Sequence, residues 1–214
     1  MSMKNILCFG DSNTWGYNPA DGSRFPHDVR WTGVLKRLLG ESCNVIEEGL
    51  SGRTTVFDDK VEEGRCGRNV VSILLWSHMP LDMVVVMLGT NDMKKRFAAT
   101  PLDSALGLEL IIKDMKRSEA GPGGRAPEIL VISPVPMSDG WMEGSNGEEM
   151  FGMQATVKSK GLARHYRDVA ERQGCHFLDA GKVIRVSEID CIHFEAEGHE
   201  KLAHAIAKKI GQIL

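Results

Sequence analysis

The chain has 214 residues, a net charge of −3 and 26% charged residues, enough for one α/β domain with a sizeable core. No run of Lys or Arg is dense enough for a nucleic acid or an anionic membrane, and no apolar segment approaches membrane-span length. The five cysteines, Cys8, Cys43, Cys66, Cys175 and Cys191, are odd in number and lack a CxxC pair, so neither a disulfide framework nor a zinc site is indicated. A reducing cytoplasm is the expected compartment, since only Ile6 to Phe9 precedes Gly10-Asp11 as an apolar run.

Short apolar runs alternate with longer helix-patterned stretches, the rhythm of βα units and a parallel sheet. The predicted strands are Asn5 to Phe9, Asn44 to Glu47, Met83 to Met87, Ile129 to Ser133 and His176 to Leu178. The third and fourth are continuously apolar, as strands covered on both faces are, and are expected to be central. Asp58 to Asn69 reads as a loop. Thr100-Pro101-Leu102-Asp103 carries helix-start signals, with Leu102, Ala105, Leu106 and Leu110 as the expected packing stripe. Pro134 to Gly152 reads as a long loop, and a last helix carries Leu202, Ala205, Ile206 and Ile210.

Four polar motifs follow strand-like runs: Gly10-Asp11-Ser12, Ser51-Gly52-Arg53, Gly89-Thr90-Asn91-Asp92 and Asp190-Cys191-Ile192-His193. Ligands of an open parallel sheet bind outside the carboxyl ends of its strands, so these motifs can converge there. A serine hydroxyl needs a base to become a nucleophile. Ser12 is the candidate nucleophile, His193 the base, and Asp190 at i−3 the group that orients the imidazole. Oxyanion donors are available from the Ser12 and Gly52 backbone and the Asn91 amide. Asp11 is assigned to orienting the loop. Trp15, Trp141, Met142 and Phe151 are candidates to line an acyl pocket, whereas Trp31 is read as a packing residue.

The order and context of Ser12, Gly52, Asn91 and His193 resemble those of the SGNH hydrolases, the GDSL-type esterase superfamily. Asp11 to Gly16, Arg30 to Gly33, Glu47 to Thr55, Met87 to Asp92 and Ile192-His193-Phe194 look like its bacterial arylesterase and acyltransferase subgroup. The resemblance implies a single three-layer α/β/α domain with a flavodoxin-like five-stranded parallel sheet. It further implies an acyl-serine mechanism without metal or cofactor, short acyl esters of aryl or simple alcohols as substrates, and a homo-oligomer. Asn13 departs from the family's usual leucine, Cys191 replaces a small residue, and the 134–152 segment is shorter than in close relatives. Carbohydrate O-deacetylation is the near alternative. A flavodoxin-like protein holding a phosphate or flavin on Ser12 to Gly16, and a metal-dependent hydrolase using Asp190, His193 and Asp92, are the readings from other classes.

Overall fold

The computed structural model describes residues 3–214. Five strands, β1 (Lys4–Gly10), β2 (Cys43–Gly49), β3 (Met83–Met87), β4 (Glu128–Ser133) and β5 (His176–Asp179), form one sheet in the order β2-β1-β3-β4-β5. Every neighbouring pair is parallel. All five strands stand where the apolar runs predict them, each within two residues at either end. The chain begins at β1, moves outward to β2 and then crosses to β3 on the other flank. The loops after β1 and β3 therefore part at a topological switch point, where an open parallel sheet leaves a crevice.

Alternation along the strands feeds two cores. Leu7, Phe9, Val84, Val86, Ile129 and Val131 pack under α3 (Gly67–His78), α4 (Pro101–Arg117) and α6 (Gly152–Arg172). Ile6, Cys8, Val85, Leu130 and Ile132 pack under α2 (Trp31–Leu39) and α7 (Ala196–Ile210). Trp31 is buried in the second core, as its packing role requires. No helix among the described residues is long and apolar enough to cross a membrane.

Helix α4 starts as its sequence predicts. The Asp103 N–H donates to Thr100 Oγ1 (3.2 Å), the Thr100 N–H donates to Asp103 Oδ2 (2.8 Å), and Pro101 takes the first turn, a reciprocal cap that satisfies two donors. Its packing stripe differs from the expected one. Leu102 and Leu106 are about half exposed, while Ala105, Leu108, Ile111, Ile112 and Met115 are buried. A helix with apolar residues on adjoining faces supports two overlapping i, i+3, i+4 patterns, and the sheet selects the one that includes Ile111 and Ile112.

Both segments read as loops contain helix. Gly67 to Asn69 open α3, and Asn146–Met150 form the short helix α5, capped by Ser145 Oγ accepting from the Glu148 N–H at 3.2 Å. Gly152, the last residue of the expected loop, begins α6. Glycines at 144, 147 and 152 hide these helices from a propensity reading, and local capping together with packing on the sheet overrides it.

His199, in the first turn of α7, is fully buried. Its Nδ1 faces the Trp31 N–H at 3.3 Å, and Phe25 and Phe194 meet its ring edge-on. Burial, with the proximity of His193 and Arg30 adding to it, depresses its pKa from 6.5 to about 4. The unfolded chain therefore takes up a proton here before the folded one, and this contribution to stability is lost as pH falls from 6.5 through 4. The full loss is about 3 kcal/mol. Asp11 opposes it: burial raises that carboxyl to about 6, a penalty on the folded state that disappears over a similar interval. The His199→Asn variant keeps an acceptor near the Nδ1 position but cannot titrate, so its stability deficit against wild type should shrink by about 3 kcal/mol between pH 7 and pH 4. Urea unfolding at the two pH values checks this, and a constant gap would refute it.

Candidate active site

The β1 strand ends at Gly10, and after Asp11 the chain turns into α1 (Ser12–Trp15). A Cβ at Gly10 would fall 2.0 Å from Thr14 Oγ1, so the tightness of the turn requires glycine. Asp11 caps α1, its Oδ1 accepting from the Asn13 N–H at 3.0 Å. This is the loop-orienting role expected of it. Asn13 is buried and donates through Nδ2 to the Ile192 carbonyl at 3.4 Å, linking the serine turn to the loop that carries His193.

That loop stands across the crevice. Asp190 Oδ1 accepts from the N–H groups of Ile192 (3.0 Å) and His193 (2.9 Å), while its Oδ2 lies 2.6 Å from His193 Nδ1. The carboxylate thus holds the Nδ1 proton. His193 Nε2, 2.8 Å from Ser12 Oγ, is left to accept from the hydroxyl. Partial burial would raise the Asp190 pKa, but hydrogen bonds from the His193 ring and from the His193 and Ile192 backbone, with the proximity of His193, hold it below the usual carboxylate range. It is ionised throughout neutral pH. The structure therefore brings Ser12, His193 and Asp190 into one hydrogen-bonded line, which can deprotonate a hydroxyl as it attacks.

Gly52 and Asn91 face the same crevice from the loops after β2 and β3. Gly52 has φ of 82°, a conformation open to few other residues. Asn91 Nδ2 donates one bond to the Arg53 carbonyl at 3.1 Å, which orients the amide and leaves its second N–H for the crevice. Arg53 is buried, donates from Nη1 to the carbonyls of Gly10 (2.8 Å) and Glu48, and lies 4.5 Å above the Phe9 ring. The Arg53 guanidinium thus ties together the ends of β1 and β2, while its backbone carbonyl holds Asn91. Burial lowers its pKa to about 10, against the opposing pull of Glu48 and Asp11, so it stays charged at neutral pH.

Asp92, beside Asn91, accepts from the Thr55 N–H (2.8 Å), Thr55 Oγ1 (2.7 Å) and Ser104 Oγ deep in the protein. It staples the loop and faces no metal site. Among the described residues no group of three or more His, Cys, Asp or Glu side chains is placed to hold a metal ion. The phosphate-cradle reading also meets an obstacle, because the Asp11 carboxylate already occupies the start of a helix only four residues long.

The crevice is a cleft of about 230 Å³ lined by Ser12, Gly52, Asn91 and His193 together with Tyr17, Glu62, Lys94, Met150, Phe151 and Ile192. Phe151 lines it as expected. Trp15 and Trp141 do not. Arg24 lies 5.1 Å over the Trp15 ring and donates from Nε to the Trp15 carbonyl, so the side chain is turned away under a surface arginine. Trp141 stacks on Phe151 and donates from Nε1 to Thr156 Oγ1 at 2.9 Å, anchoring the 134–152 segment to α6. Met142 is exposed. In their place stand Tyr17, stacked on His193 with centroids 4.2 Å apart, and Met150. Tyr17 falls two residues beyond Trp15, just past the same motif, and the aromatic nearer the serine turn drew the expectation because the αL residue Gly16, which redirects the chain between them, is invisible as a direction in sequence.

The family model of GDSL-like lipases and acylhydrolases matches residues 8–201. Among solved structures, the native aryl esterase of M. smegmatis is 41% identical over 99% of this chain and 100% of its own, with a TM-score of 0.91. A carbohydrate acetylesterase from Sinorhizobium meliloti is 39% identical over 99% and 100%, with a TM-score of 0.93. No curated protein matches. With the five-stranded parallel sheet and the serine, glycine, asparagine and histidine set at one crevice, these likenesses establish that the chain belongs to the GDSL-like lipase/acylhydrolase family and is a carboxylic ester hydrolase.

Proposed function

We propose that the enzyme cleaves short acyl esters of aryl or simple alcohols through an acyl-serine intermediate. Ser12 Oγ attacks the ester carbonyl while His193 Nε2 takes its proton, and His193 then returns that proton to the departing alcohol oxygen. Asp190 orients the imidazole and balances the imidazolium charge. The Ser12 and Gly52 N–H groups and Asn91 Nδ2 stabilise the oxyanion. Water, or a second alcohol in acyl transfer, attacks the acyl-enzyme with His193 again acting as base. The observation that supports this reading most directly is the continuous Ser12–His193–Asp190 line, with spacings of 2.8 and 2.6 Å.

Removal of acetyl groups from carbohydrate is a second reading, favoured by the likeness to the Sinorhizobium acetylesterase, which is nearly as great as that to the aryl esterase. Kinetics on p-nitrophenyl acetate beside acetylated sugars separate the two. With the better substrate, Asn91→Ala should cost about 10² to 10³ in kcat at little changed KM, because it removes an oxyanion donor and leaves nucleophile and base in place. A rise in KM alone would assign Asn91 to substrate binding. Homo-oligomerisation through the α6 face bearing exposed Met153 and Val157 and a reducing compartment, in keeping with five free cysteines, complete the proposal. Sedimentation of the same preparation tests the former.

A further inference from the structure

We infer that the Lys94–Glu62 ion pair forms the far wall of the acyl pocket and restricts the enzyme to short acyl groups, acetyl foremost. The inference rests on the esterase reading above. An ester whose carbonyl carbon lies over Ser12 and whose oxygen points between Gly52 and Asn91 has two branches. The alcohol oxygen must lie by His193 to receive its proton, so the alcohol branch runs past Tyr17 and Ile192. The acyl branch is left with the remainder of the cleft, which Glu62, Lys94, Met150 and Phe151 line.

The two charged groups stand very near the reacting centre. A Cβ at Gly52 would come within 2.7 Å of Glu62 Oε2, so the carboxylate lies directly against the oxyanion glycine. Lys94 follows Asn91 across a single 3-10 turn, its N–H donating to the Asn91 carbonyl at 3.2 Å. Its side chain is only 3% exposed, and its Nζ lies 2.9 Å from Glu62 Oε1 and 3.6 Å from Asp59 Oδ2. Arg96 holds the same two carboxylates, at 2.8 Å from Glu62 and 3.4 Å from Asp59. Asp59 Oδ1 in turn accepts from the N–H groups of Val61 and Glu62, at 3.0 and 3.1 Å, which fixes the turn that presents Glu62.

The wall is therefore both charged and rigid. Partial burial works against ionisation of Glu62, but Lys94 and Arg96 hold its carboxyl below the usual range, so Glu62 is charged at neutral pH. An acetyl methyl fits in front of it. A longer alkyl chain must lie across the ion pair and strip its remaining water without supplying a hydrogen bond, which is unfavourable. Met150 and Phe151, which line the same cleft, offer apolar surface to part of the chain only.

The test is the kcat/KM series for p-nitrophenyl acetate, butyrate, hexanoate and octanoate. Wild type should favour acetate over octanoate by on the order of 10²-fold, and the Glu62→Leu/Lys94→Met double variant should reduce that ratio about tenfold or more. Removing both partners leaves Asp59 and Arg96 paired with each other, and takes from Arg65 the Glu62 carboxylate 3.6 Å from its Nε. If the double variant does not fold, Glu62→Gln, which keeps the shape and removes the charge, should still reduce the ratio about threefold. A flat wild-type series overturns the inference, and so does an unchanged ratio in a folded variant. Absence of turnover for every ester by folded wild type would instead overturn the esterase reading itself.

Discussion

Ser12→Ala is expected to fold as wild type does and to lower kcat for p-nitrophenyl acetate by about 10⁴ to 10⁶. The hydroxyl is the only atom removed. Its partner His193 keeps the bond to Asp190, and the turn keeps the Asp11 cap on the Asn13 N–H. Without Oγ no acyl-enzyme forms, and what remains is the rate that oxyanion donors and binding lend to direct attack by water. A fluorophosphonate probe followed by peptide mass spectrometry should place its adduct on Ser12 in wild type and find none there in the variant. Retained turnover, or an adduct on another serine, would remove Ser12 from the mechanism.

His193→Ala should be nearly as damaging, and the Ser12→Ala/His193→Ala double variant should be no slower than either single one, because nucleophile and base act as one unit. A serine hydroxyl 2.8 Å from an accepting ring nitrogen is activated; the same hydroxyl without it is an ordinary alcohol. Asp190→Asn should cost about 10⁴, since an amide can present its N–H to Nδ1 and favour the wrong tautomer at Nε2. His199→Ala, by contrast, should alter stability and leave kcat within a few-fold, for His199 faces the Trp31 backbone and not Ser12. Additive losses in the double variant, or a collapse of kcat in His199→Ala alone, would mean that the histidine roles are misassigned.

The chain-length test of the Lys94–Glu62 wall is independent of these. The triad variants probe whether the acyl-enzyme forms, and the series probes which acyl groups reach it. Phe151 and Met150 line the cleft from the junction of α5 and α6, so the segment read as a loop does contribute to the pocket, through its end and not through Trp141.

Strands, sheet class and the candidate site motifs were legible in the sequence because each apolar run and each short motif is local information. Val84-Val85-Val86-Met87 can bury only on both faces of a sheet. Likewise, Asp190 and His193 sit three residues apart and need only one turn of chain to meet. Pocket walls depend on directions that accumulate over the chain. Gly16, in the left-handed region with φ of 91°, turns Trp15 out and Tyr17 in, and Arg53 orients Asn91 across 38 residues of sequence. Which stripe of α4 is buried, and that Glu62 and Lys94 meet 2.9 Å apart beside Gly52, were likewise decided only in the tertiary structure. A helix face or a charged side chain in sequence specifies what it can pair with, and packing against the sheet selects which pair forms.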